Sequence, residues 1–167
     1  MYSYYDMYNQ YYNHQRTWRN ENENQLSEEI ITFEQALDLI KQSVADEKED
    51  EMFYDELIKT AQNEKEKDII TSIRNDERRH NQILRNLYYE FTGNMVESDV
   101  LPMEETPVAI HAERLEEALF GELEAVKKYR KIMGAMPDEK SYTLLMSIMT
   151  DEIRHANKYN FLIATQK

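Results

Sequence analysis

The sequence predicts an all-α fold: four long helices in one bundle, arranged as two pseudo-symmetric helical hairpins joined by a long crossover. Three observations carry this. Glycine and proline number three each in 167 residues, so little interrupts a long helix. Apolar residues recur at alternating spacings of three and four in four segments, the period of helices with one packed face. The second half of the chain also repeats the first at an offset of 75 residues.

The first 30 residues stand apart as a Tyr/Asn-rich N-terminal arm, and residues 31–167 form the bundle domain. Tyr2, Tyr4, Tyr5, Tyr8, Tyr11 and Tyr12 crowd the start, with no helical or strand period. Such a segment reads either as a disordered tail or as an assembly arm whose tyrosines stack on a partner subunit.

The first helix begins after Thr32, where Thr32-Phe33-Glu34-Gln35 forms a capping box. Its stripe is Leu37, Ile40, Val44, Glu47, Glu51, Tyr54, Ile58 and Ala61, and residues 62–66 make a polar turn. The second helix carries Ile70, Ile73, Glu77, His80, Leu84, Leu87 and Phe91, and Gly93 stops it. The connection from Thr92 to Val108 is longer than an antiparallel neighbour needs, so it crosses the length of the bundle. The third helix carries Ala112, Leu115, Leu119, Glu122, Val126, Tyr129, Met133 and Met136, with Gly134 and Pro137 at its end. The fourth carries Leu145, Ile148, Glu152, His155, Tyr159 and Leu162.

Composition excludes several functions. A net charge of -13 is unsuited to nucleic acid, whose phosphates require a basic surface, but suits cations. The absence of cysteine rules out disulfides, a thiol nucleophile, iron–sulfur clusters and sulfur-ligated metal. No apolar run approaches the roughly 20 residues that span a bilayer, and Met1–Tyr12 lacks a signal pattern. The expectation is a soluble, cytoplasmic protein.

The stripes hold what a core normally excludes. Each helix brings a carboxylate to mid-stripe, namely Glu47, Glu77, Glu122 and Glu152, and two also bring an imidazole, His80 and His155. Asp76-Glu77-x-x-His80 and Asp151-Glu152-x-x-His155 each set a Glu and a His on one helix face. Four clustered carboxylates repel unless something offsets them, and two divalent cations beside neutral imidazoles do so. A sulfur-free set of carboxylates and imidazoles suits iron or manganese. His14 and His111 fall outside this pattern and read as solvated.

The paired pattern Glu47-x6-Tyr54 with Asp76-Glu77-x-x-His80, then Glu122-x6-Tyr129 with Asp151-Glu152-x-x-His155, resembles the ferritin-like superfamily, and within it the rubrerythrin-like branch. The resemblance covers about residues 33–165. It implies a ferritin-like four-helix bundle holding two iron ions, with manganese as the variant. It implies that Glu77 and Glu152 bridge the metals, that Glu47 and Glu122 are terminal ligands, and that His80 and His155 each serve one metal. Asp76 and Asp151 resemble carboxylates that orient a ligand histidine. Tyr54 and Tyr129, the candidate catalytic tyrosines, either hydrogen-bond a ligand carboxylate or simply fill the core. The cysteine-rich module of full rubrerythrins is missing, so an external electron donor is expected. Asp50 and Glu51 have no acidic counterpart at Ala125 and Val126; Glu51 reads either as an extra ligand or proton relay, or as a solvent-facing edge.

The implied activity is reaction of two Fe(II) with dioxygen or hydrogen peroxide, giving ferrous oxidation, peroxide removal or both. The alternative is a structural, self-assembling protein whose arm resembles those of spore-coat-associated proteins and whose metal site mainly stabilises it. A homo-oligomer is expected on either view.

Overall fold

The computed structural model describes residues 30–96 and 111–166. The arm and His14 therefore lie outside the described residues, as does most of the crossover. Four helices follow: α1 (Phe33–Lys59), α2 (Glu64–Thr92), α3 (His111–Gly134) and α4 (Glu139–Ala164). The helical unit begins at Thr32. None of these helices is long and apolar enough to cross a membrane.

Local chemistry sets the helix ends. Thr32 Oγ1 accepts from the Gln35 amide at 3.2 Å, and Gln35 Oε1 accepts from the Thr32 amide at 2.8 Å, which completes the expected capping box. Asn63 and Asp138 cap α2 and α4 by accepting from the amides of Glu66 (3.0 Å) and Ser141 (2.9 Å). Gly93 ends α2 at φ 70°, and its amide donates to the Tyr89 carbonyl at 2.8 Å. A Cβ there would meet nothing within 4 Å, so the backbone conformation alone opposes substitution. Gly93→Ala is expected to lower unfolding stability by about 1 kcal/mol, measured by urea denaturation.

Helices α1 and α2 pack as one hairpin and α3 and α4 as the other. Tyr54 on α1 meets Glu122 on α3, whereas Tyr129 meets Glu47, so α1 and α3 run antiparallel. Glu66 near the start of α2 meets His111 at the start of α3, so these two begin at the same end. The chain between Thr92 and His111 must therefore join opposite ends of the bundle, as the crossover reading requires.

The core lies above and below one polar level. At one end Tyr54, Leu57, Ile70, Ile73, Leu115, Tyr159 and Leu162 pack together. Towards the other end Ile40, Val44, Leu84, Leu87, Ile132, Leu145 and Ile148 are buried. Several stripe positions differ from expectation. Leu37, Ile58, Phe91, Ala112 and Val126 are only half-buried, while Ala36, Leu57, Ala118 and Ile132 take core places. A bundle helix buries a face about 100° wide, broader than a single seam. Ala61 and Met136 fall in turns beyond α1 and α3, and the expected polar turn is shorter, because α2 already starts at Glu64.

Candidate metal centre

All six expected ligands are buried at mid-bundle, with Glu47, Glu77, Glu122 and Glu152 at 2–4% exposure and both histidines at 0%. They form two overlapping groups whose ligand atoms lie within 4.8 Å of one another: Glu47, Glu77, His80 and Glu152; and Glu77, Glu122, Glu152 and His155. Glu77 and Glu152 belong to both.

The oxygens are divided accordingly. His80 Nδ1 lies 3.0 Å from Glu77 Oε2, 3.2 Å from Glu152 Oε1 and 3.8 Å from Glu47 Oε2. His155 Nδ1 lies 3.0 Å from Glu77 Oε1, 3.3 Å from Glu152 Oε2 and 3.4 Å from Glu122 Oε2. Each shared carboxylate thus turns one oxygen to each imidazole. The rings face each other, with centroids 5.9 Å apart.

The bonds that hold the two imidazoles cross between hairpins. His80 Nε2 lies 3.3 Å from Asp151 Oδ2 on α4, and His155 Nε2 lies 3.1 Å from Asp76 Oδ2 on α2. Each aspartate thus holds the imidazole of the other half and keeps its Nδ1 turned to the cluster. Asp151 is itself held by Arg79 from α2 and Arg154 from α4. The tyrosines follow the same rule. Tyr54 donates to Glu122 Oε1 at 2.8 Å, and Tyr129 donates to Glu47 Oε1. Both tyrosines are buried, so they fill the core and bond a cluster carboxylate at once.

These surroundings separate the carboxylates into two kinds. Burial raises Glu47 well above the usual carboxylate range, and the charges of Glu77 and Glu152 add to it. Burial likewise raises Glu122, against the opposing pull of His155. Burial pushes Glu77 and Glu152 up as well, but His155 and His80 beside both outweigh it and hold them low. Burial opposes charge on the imidazoles. Even so, Glu152 and Glu77 push His80 up to about 10, and Glu122, Glu152 and Glu77 push His155 up to about 12.

The donor set is one that could hold metal. Glu47 Oε2, Glu77 Oε1, Glu152 Oε1 and His155 Nδ1 are buried without a hydrogen-bond partner. Buried polar atoms without a hydrogen bond are unfavourable, and cations at these atoms would satisfy them.

Other expected residues lie elsewhere. Asp50 and Glu51 belong to neither group. Glu51 pairs with Lys48 and Arg78, both at 2.8 Å, so it occupies the solvent-facing edge. His111 is not solvated. Its side chain is 15% exposed, its Nε2 pairs with the buried Glu66, and its Nδ1 lies 3.2 Å from Thr60 Oγ1. Glu66 precedes Ile70 by one turn on the α2 stripe, a charge at a core position like Glu47, and that was the available signal. Arg79 and the buried Tyr159 were also not singled out for the site.

The family model described as Rubrerythrin matches residues 38–163. Among solved structures the chain is similar to a hypothetical protein from Pyrococcus furiosus. The TM-score is 0.67 and the identity 21%, covering 80% of this chain and 94% of that one. At that identity the likeness shows the shared fold. No curated protein matches.

Proposed function

The chain belongs to the rubrerythrin family, and from that premise we propose that Glu47, Glu77, His80, Glu122, Glu152 and His155 hold two iron ions that react with dioxygen or hydrogen peroxide. The observation that supports this most is the sharing of Glu77 and Glu152, each with one oxygen toward His80 and the other toward His155. When bound, the iron pair supplies the electrons for reducing the oxidant, in ferrous oxidation or peroxide removal. Manganese satisfies the same donors and is the alternative metal.

The protein's part is to bind, orient and exclude water. Asp151 and Asp76 accept hydrogen bonds from the Nε2–H groups of His80 and His155, which leaves each Nδ1 lone pair for a metal. Tyr54 and Tyr129 each occupy one oxygen of Glu122 and Glu47, so the other is left to the cluster. Ile73 and Ile148, both fully buried, help close the level to solvent.

The test is metal analysis of protein loaded with Fe or Mn, followed by peroxide turnover and oxidation of added Fe(II). Two irons per chain with turnover is the expected result. No metal uptake, or uptake unaffected by Glu77→Ala with His80→Ala, would sink the proposal. Asp151→Asn is expected to weaken the ion held by His80 by about 10–100-fold, because the ring loses its ionised acceptor. Competition with a metal chelator measures it.

A further inference from the structure

The two hairpins carry the same ligands but finish their outer grooves differently. In the first, Lys48 on α1 and Arg78 on α2 both pair with Glu51 at 2.8 Å, a charged clasp across the two helices. The positions 75 residues on are Leu123, Ile153 and Val126. The clasp is thus replaced by three apolar side chains, of which Leu123 is 41% and Ile153 43% exposed.

Both face the outer α3/α4 groove. Ile153 and Asp151 flank Glu152 about 100° to either side, and Asp151 meets α2, so Ile153 turns away from it. Lys128 meets Asp46 on α1, and Leu123 lies on the far side of α3 from it. Along the same faces Tyr142, Met146 and Phe120 are 40%, 41% and 63% exposed. Their counterparts in the first hairpin are Lys67, Thr71 and Ala45. An apolar row of this extent on a chain of charge -13 marks an interaction surface.

The charges along α3 indicate what covers it. Glu116 and Glu117 lie seven and six residues before Leu123, and Lys127, which also pairs with Glu124 on its own helix, and Lys131 lie four and eight after it. A twofold axis through Leu123 lays the acidic half of one α3 along the basic half of the other, and apolar row on apolar row. We propose that this chain forms a twofold dimer through the outer groove of α3 and α4, centred on Leu123 and Ile153.

Sedimentation of the full-length protein across a dilution series tests this. Wild type is expected at twice the chain mass. Leu123→Lys with Ile153→Arg, the residues of the first hairpin, is expected to weaken the dimer by at least about 100-fold. Lys127→Glu with Lys131→Glu is expected to weaken it as well, and adding Glu116→Lys with Glu117→Lys restores it, as only a self-complementary interface can. No variant touches a ligand, so retained metal uptake and helical circular dichroism certify the fold. A monomeric wild type, a dimer that survives Leu123→Lys with Ile153→Arg, or a charge swap that fails to restore association overturns the proposal.

Discussion

Glu77→Ala with Glu152→Ala is expected to abolish binding of both metal ions, whereas Glu47→Ala is expected to disturb only the one beside His80. The reason is how the ligands are shared. Glu77 and Glu152 serve both groups, while Glu47 serves one. Without the shared pair, each group keeps one carboxylate and one imidazole, too few to displace water from a divalent cation. Glu47→Ala leaves the His155 group whole. Iron per chain after anaerobic loading and desalting should read two for wild type, near zero for the double variant and about one for Glu47→Ala. The melting temperature supplies a second reading. An ion present at about 100 times its dissociation constant adds about 2.7 kcal/mol to stability. That increment should vanish in the double variant, and circular dichroism without metal verifies that the variant still folds. Equal loss in the two variants would show that the carboxylates are not divided as the distances indicate.

The second large effect is in protons. At pH 7 the metal-free cluster is expected to carry protons on His80 and His155, pushed up to about 10 and about 12, while burial also raises Glu47 and Glu122. Glu77 and Glu152 stay ionised, so two negative charges face two positive ones. Two divalent ions require four carboxylates and two neutral imidazoles, so loading should release at least about two protons per chain, those of the imidazoles. Calorimetry in buffers of different ionisation enthalpy counts them. Stability without metal follows the same linkage. A histidine whose folded pKa is raised stabilises fully below its unfolded value near 6.5, and loses that contribution as pH rises through the folded value. Metal-free protein should therefore weaken from about pH 6.5 through about 10 and beyond, while loaded protein stays flat there. A release near zero would mean that the free cluster is not protonated.

The helices and the buried polar level were legible in the sequence because both rest on periodicity. Spacings of three and four put Glu77 and His80 on the face of Ile73 and Leu84, and the repeat put Glu152 and His155 at the same height. The partners of those side chains were not legible. Asp76 lies four residues, about one turn, before His80, so both fall on nearly the same side of α2. Both meet the neighbouring α4, and the spacing does not say that Asp76 takes His155 and not the imidazole of its own helix. The His111–Glu66 contact spans 45 positions and has no counterpart at the repeat offset, so symmetry could not find it. Glu51 was ambiguous because a position at the margin of a stripe turns inward or outward according to its neighbours, here Lys48 and Arg78.

The crossed bonds also order the events of assembly. A nascent chain with only its first hairpin formed has Glu47, Glu77 and His80, but neither Asp151 to steer the ring nor Glu152 to complete a cage. The second hairpin alone is equally unfinished, lacking Asp76 and Glu77. Under the proposed function, tight capture of the ions waits until both halves have met. Metal would then arrive as the closing rivet of a finished frame, not as the seed on which the helices condense.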